Sequence, residues 1–194
     1  MNFLKQGDMV LTPTTQMPLG FKAPGFKLPD TVSGNDYSLH ELASRKGTVI
    51  MFICNHCPYV KHVIEGIVTL ARDYIPKGIS FIAISSNDVE NYPDDSPAKM
   101  KENAIRLGFP FPYLYDETQE VARAYHAACT PDFYIFDGDL KCVYRGQMDD
   151  ARPGNELPVT GKDLRQALDA LLGGKPVSDD QIPGLGCNIK WKNA

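Results

Sequence analysis

Val49-Ile50-Met51-Phe52-Ile53-Cys54-Asn55-His56-Cys57-Pro58 is the stretch that decides how the chain folds. An apolar run ends on a cysteine, a second cysteine follows two residues later, and a proline opens what comes next. A nearly continuous apolar run suits a strand buried on both faces, as in a parallel sheet. Val60, Val63, Ile64, Ile67, Val68 and Ala71 then recur with a helical period over 57–74. Pro58 fits the first turn, where a missing N–H costs nothing. The stretch therefore reads as a strand feeding a helix with a Cys-x-x-Cys pair at the junction. Unpaired N–H groups and the positive end of the helix dipole favour an anion there. A thiolate is an anion, so the expectation is a depressed pKa and enhanced reactivity at Cys54.

Working outward, Ile79–Ile84 reads as a second buried strand, and Pro76 and Gly78 close the intervening helix. Before the junction, Gly34-Asn35-Asp36 is turn chemistry, predicting a short hairpin. Ser38, with Glu41 three residues on, is a capping-box signal for a short helix that Gly47 ends. Residues 88–97 read as a surface loop. Ser96-Pro97 starts a helix through Leu107, Phe109–Tyr115 holds at most a short strand, and Thr118–Tyr125 is a short helix. Asp132–Phe136 and Lys141–Arg145 flank Asp137-Gly138-Asp139, an antiparallel hairpin signal. Residues 146–161 read as a loop, and Arg145, Asp149, Asp150 and Arg152 form a charged run expected to face solvent. Lys162–Leu172 is a last amphipathic helix, ended by Gly173-Gly174. The organisation expected is an N-terminal arm (1–20), a domain (21–174) and a C-terminal tail (175–194) with little period. The element order predicts an α/β sandwich around a mixed sheet.

With 194 residues, the chain is long enough for one domain with a full core. A net charge of -4 gives no electrostatic reason to expect nucleic acid. No apolar run approaches the roughly 18 residues that span a bilayer, so no membrane role is expected. The opening Met1–Asp8 shows no basic segment followed by an apolar one, and the expected location is the cytoplasm. There five cysteines would be mostly reduced, and a disulfide would be transient rather than structural. Five is odd, so one thiol always lacks an intramolecular partner.

Three features together resemble the thioredoxin-fold superfamily, specifically its peroxiredoxin-like redoxin branch (alkyl hydroperoxide reductase/thiol-specific antioxidant-like). They are the strand-Cys54-x-x-Cys57-helix junction, Cys129-Thr130-Pro131 directly before the strand Asp132–Phe136, and Gly25-Phe26-Lys27-Leu28-Pro29-Asp30. Cys-Asn-His-Cys-Pro-Tyr, Asp-Asp-Ala-Arg-Pro-Gly-Asn and the closing Gly-Cys-Asn-Ile-Lys-Trp further resemble a subgroup of small bacterial and plant-type redoxins. The resemblance covers roughly residues 20–192. It implies a thioredoxin-like three-layer sandwich with a mixed central sheet and an N-terminal hairpin extension. It also implies a cis-proline at Pro131 lying against the Cys-x-x-Cys pair. Two departures bear on chemistry. Peroxiredoxins place Pro-x-x-x-Thr/Ser-x-x-Cys at this loop, and read back from Cys57 the Thr and Pro positions are Cys54 and Ile50. Thioredoxins place Trp before the first cysteine and Gly-Pro within the pair, where this chain has Ile53 and Asn55-His56.

The function expected is a thiol–disulfide oxidoreductase, serving redox homeostasis or antioxidant defence. Its partners would be a disulfide-bearing protein or small thiol substrate and a thiol electron donor. Cys54 attacks a disulfide and Cys57 resolves the mixed disulfide. His56, between them, would act as a cation favouring the thiolate. Thr130 and Pro131 would bind substrate, with the Thr130 backbone offered as a strand edge to a bound chain. Cys129 and Cys187 are candidate auxiliary thiols, each also readable as a structural residue. No cofactor is expected. One alternative is a peroxiredoxin-like thiol peroxidase. Another is a zinc- or copper-binding module drawing on Cys54, His56, Cys57, His62, His126 and Cys129, although no metal is expected beside the cysteine couple.

Overall fold

The apolar run becomes the middle of a sheet. In a computed structural model, which describes residues 10–15 and 17–192, the elements in chain order begin with β1 (Leu11–Pro13), β2 (Lys27–Pro29), β3 (Asp36–Ser38), α1 (Leu39–Leu42) and β4 (Thr48–Phe52). There follow α2 (Pro58–Tyr74), β5 (Ser80–Ser85), α3 (Pro97–Leu107), β6 (Tyr113–Tyr115) and α4 (Glu120–Ala124). The chain ends with β7 (Cys129–Thr130), β8 (Asp132–Phe136), β9 (Cys142–Gly146), α5 (Lys162–Leu172) and β10 (Leu185–Asn188). All five residues of β4 are buried. It pairs in parallel with β5 and antiparallel with β8, inside a five-stranded sheet of order β6-β5-β4-β8-β9. That is the mixed sheet expected.

Alternation along β4 builds the layers, because successive side chains point to opposite faces. Val49 and Met51 pack with Val63, Ile67 and Val68 of α2, with Met100 of α3 and with Leu164 and Leu168 of α5. Ile50 and Phe52 pack on the other face with Leu28, Leu39 of α1, Ala122 of α4, Tyr125, Tyr134 and Phe136. Helices thus cover both faces of the sheet, in three layers. Each fully buried branched or aromatic side chain contributes about 1.5–3 kcal/mol relative to exposure, so this sandwich is the rigid body on which the cysteines sit.

The expected hairpin forms from β2 and β3. Ser38 caps α1 reciprocally: its hydroxyl accepts from the Glu41 N–H at 3.3 Å, and its own N–H donates to Glu41 Oε2 at 2.7 Å. Two expectations are corrected. The charged run is only partly a solvated face: Asp150 is exposed, but Arg145 and Asp149 are buried. Arg145 Nη2 reaches Asp132 at 3.4 Å and donates to the His126 carbonyl at 2.8 Å, while Asp149 accepts from the Thr160 and Gly161 N–H groups. The Asp149 carboxylate thus organises the loop 146–161 from within. The C-terminal tail also carries regular structure. β10 lies between β1 and β7 in a small antiparallel sheet, order β1-β10-β7. Of the expected N-terminal arm, residues 1–9 and Gln16 lie outside the described residues.

Candidate active site

Cys54 leaves the end of β4, and Cys57 is the N-cap of α2 with φ -65° and ψ 123°, followed by Pro58 in the first turn. Both sulfurs converge on Thr130. Cys54 Sγ lies 3.3 Å from Thr130 Oγ1, and Cys57 Sγ lies 3.2 Å from the Thr130 carbonyl oxygen. The Thr130–Pro131 peptide is cis, in accord with the sequence expectation. A small cleft of about 20 Å³ opens beside it, lined by Tyr59, Val63, Pro131, Phe133, Met148 and Leu185 among others. All five cysteines are buried thiols, Cys54 at 2% and Cys57 at 0% exposure.

A third sulfur stands at the pair. Cys187 Sγ is 2.9 Å from Cys57 Sγ. Strand register explains how the tail delivers it. In the β10–β7 ladder Cys187 is opposite Thr130 and Asn188 is opposite Cys129. Opposite residues of an antiparallel pair share a face, so Cys187 and Thr130 point together toward Cys54 and Cys57. Cys129, one residue along, points the other way, and its sulfur makes its contact with the Pro131 carbonyl at 3.7 Å. A one-residue slip would exchange the two. Gly186 permits the approach, because a Cβ there would sit 2.1 Å from the Thr130 carbonyl oxygen. Gly186→Ala must therefore push β10 off β7. Overpacking of this kind costs about 1–3 kcal/mol, and the expected reading is a lower urea midpoint with Cys187 alkylated faster than in the native protein.

This ladder also corrects one expectation. The backbone edge at Thr130 is not open to an added substrate strand, because the chain's own β10 already pairs with it.

The Asn55-His56 loop is held by Asp95, whose carboxylate is fully buried. Asp95 Oδ1 accepts from the Asn55 N–H at 2.7 Å and the His56 N–H at 3.1 Å. Asp95 Oδ2 accepts from Asn87 Nδ2 at 2.8 Å and lies 2.5 Å from His56 Nδ1. The His56 ring stacks on Tyr92 with centroids 5.1 Å apart. His56, expected to act on the thiols as a cation, is turned through Nδ1 to this carboxylate instead. Sequence reasoning missed Asp95 because Pro93-Asp94-Asp95 looks like an exposed acidic turn. Nothing in the pattern tells its two acids apart.

The electrostatics reverse a second expectation. Burial pushes the Cys54 thiol well above its ordinary value; its hydrogen bond to Cys57 and the nearby Asp95 carboxylate add to the rise. Cys57 goes the other way, held far below the usual thiol range by hydrogen bonds from Cys187 and Cys54. Cys187 is raised in turn, first by that same hydrogen bond and then by burial. Of the three sulfurs, the middle one, at the helix N-terminus, is the one whose thiolate is favoured.

Among the described residues, Cys54, His56 and Asp95 form one group whose ligand-type atoms lie within 4.8 Å of one another. His62, His126 and Cys129 stand outside it. The Asp95 oxygens already serve three N–H donors and His56 Nδ1, so this donor set is occupied within the protein and does not resemble an open metal site.

Comparison with known proteins places these features in context. The model of the AhpC/TSA family matches residues 19–145. The chain is 61% identical to an uncharacterized conserved protein from Geobacillus kaustophilus of known crystal structure, with a TM-score of 0.95, covering 96% of this chain and 99% of that one. It is 26% identical over 139 residues to the thiol-disulfide oxidoreductase ResA of Geobacillus kaustophilus, 71% of this chain and 75% of that protein. It shares its fold with peroxidoxin BcpB from Mycobacterium tuberculosis, at 20% identity and a TM-score of 0.61 over 82% of this chain and 98% of that one.

Proposed function

The chain belongs to the AhpC/TSA family and is a thiol oxidoreductase; from that premise we propose that Cys54 and Cys57 are its working couple, reducing a disulfide at the expense of a thiol donor. The observation that carries this reading is the convergence of both sulfurs on Thr130, at 3.3 Å and 3.2 Å, where strand β4 meets helix α2.

The resting charge distribution sets the order of events. Cys54 passes its proton to the Cys57 thiolate and attacks one sulfur of the substrate disulfide. The other substrate sulfur leaves as a thiolate and takes the proton back from Cys57. Cys57, a thiolate again, attacks Cys54 Sγ and releases the second substrate thiolate. Two electrons have moved from the protein couple to the substrate, and a Cys54–Cys57 disulfide remains. An external thiol of the cell, expected here to be the cytoplasm, would return the couple to the reduced state. A disulfide-bearing protein or small molecule is the substrate class, in redox homeostasis or antioxidant defence.

The Thr130 hydroxyl favours a second reading. The loop itself supplies no threonine to a peroxide at Cys54, but β7 brings one from elsewhere in the chain, 3.3 Å from the sulfur. In that reading Cys54 attacks hydrogen peroxide, breaking the O–O bond: one oxygen stays on Cys54 as a sulfenic acid and the other leaves as water; Cys57 then displaces the sulfenic oxygen as a second water to give the same disulfide.

Stopped-flow mixing of the reduced protein with 5,5′-dithiobis(2-nitrobenzoate) and, separately, with hydrogen peroxide tests both, followed by mass mapping. Fast release of two thionitrobenzoate ions, leaving a Cys54–Cys57 disulfide, is the expected result, with peroxide reacting slowly. Fast peroxide consumption would replace the first reading by the second. A protein that leaves both oxidants untouched would overturn both.

A further inference from the structure

We propose that Cys187 is a third redox thiol, taking over Cys57 by internal disulfide exchange so that the oxidised protein holds either a Cys54–Cys57 or a Cys57–Cys187 bond. This rests on the reading of Cys54 and Cys57 as the working couple and extends it to the C-terminal strand.

The geometry is that of a built contact. Cys57 Sγ and Cys187 Sγ are 2.9 Å apart, within about 1 Å of the roughly 2.05 Å of a disulfide. Both ends are fixed. Cys57 caps a 17-residue helix, and Cys187 sits in a strand paired on both sides, with Leu11 of β1 and Thr130 of β7. β10 lies where an incoming disulfide strand was expected to add to the Thr130 edge. The tail thus carries its own sulfur to the place a substrate sulfur would need, and Gly186 gives up its side chain to let it come that close. A small structural residue would fill this space equally well, but it would not explain a sulfur aligned on a sulfur. Cys129, buried on the opposite side of β7, has no such alignment and is left out of the relay.

The exchange balances without an outside reagent. Cys187 loses its proton as its sulfur attacks Cys57 Sγ in the Cys54–Cys57 disulfide. The Cys54–Cys57 bond breaks, the Cys57–Cys187 bond forms, and Cys54 leaves as a thiolate that takes up the proton. No net electrons move. The oxidising equivalent is then stored between two buried sulfurs, and Cys54 is again a thiol beside the Thr130 hydroxyl.

Full-length Cys54→Ser protein, reduced and then treated with diamide, provides the test. The expected product is 2 Da lighter, with Cys57 and Cys187 joined in the peptide map and absent from alkylation. Native protein given one equivalent of diamide should yield both Cys54–Cys57 and Cys57–Cys187 peptides, and Cys187→Ser protein only the first. Native protein forming Cys54–Cys57 alone, with no Cys57–Cys187 link in either protein, would overturn the relay and leave the couple standing. Native protein forming no bond at Cys57 at all would remove the couple itself. The native-protein map decides the question even if Cys54→Ser fails to fold.

Discussion

Cys54→Ser protein will reduce disulfides at least about 10³-fold more slowly than the native chain, the scale on which enzymes lose rate when a nucleophile is deleted. Serine keeps the size of the side chain and its contact with Thr130 Oγ1, so the loop should stay in place. What it loses is an atom that can become an anion at neutral pH and break an S–S bond. Cys57→Ser should behave differently. Cys54 keeps its sulfur but loses both its proton acceptor and its resolving partner, so turnover stops with substrate still attached. The expected finding is a stable adduct at Cys54, seen by mass after exposure to a glutathione disulfide and removed by dithiothreitol. Turnover near the native rate with Cys54→Ser would show that another sulfur attacks first. Because Cys57 is the sulfur whose pKa is held low, that outcome would point to Cys57 itself as nucleophile.

Much of this arrangement is legible from the residues, and the limits are instructive. Thr48–Phe52 reads as a buried strand because every residue of it is apolar or packs as such, and a strand buried on both faces has no polar side to alternate. Pro58, Ser38 with Glu41, and Asp137-Gly138-Asp139 mark local backbone states that tertiary packing does not need to impose. Thr130-Pro131 placed itself by resemblance. The parts that stay hidden are those fixed only by a partner. Leu185-Gly186-Cys187-Asn188 contains a glycine and too few residues to show a period, and it is a strand because β1 and β7 bond it on both sides. The depressed thiol was expected at the first cysteine from the helix dipole alone. The dipole acts on whichever sulfur sits at the N-cap, which is Cys57, and the neighbouring thiols and Asp95 then settle the matter against Cys54. Cys187 and Asp95 are both far from the pair in sequence. Arg145 and Asp149 mislead for the same reason: charge predicts exposure unless a buried opposite charge or a set of N–H donors is waiting.

Asp95→Ala should cost the fold about 3–5 kcal/mol, the range seen when one side of a buried charged network is removed. The Asn55 and His56 N–H groups, Asn87 Nδ2 and His56 Nδ1 would all lose their partner at once. Urea unfolding of the reduced protein measures it. Asp95→Asn separates the structural from the electrostatic part. An amide oxygen can still accept from the two backbone N–H groups, while its NH₂ faces Asn87 Nδ2 donor to donor, so the loss should be smaller, about 1–3 kcal/mol. The charge is gone, however. Since the Asp95 carboxylate is one of the groups that raise Cys54, its removal makes the Cys54 thiolate easier to form. The pH profile of iodoacetamide labelling at Cys54 should therefore move to lower pH in Asp95→Asn, with faster labelling at any pH below the native midpoint. An unmoved profile would mean that burial alone sets Cys54. A shift to higher pH would mean that the carboxylate favours the Cys54 thiolate indirectly, through the Asn55-His56 loop it holds.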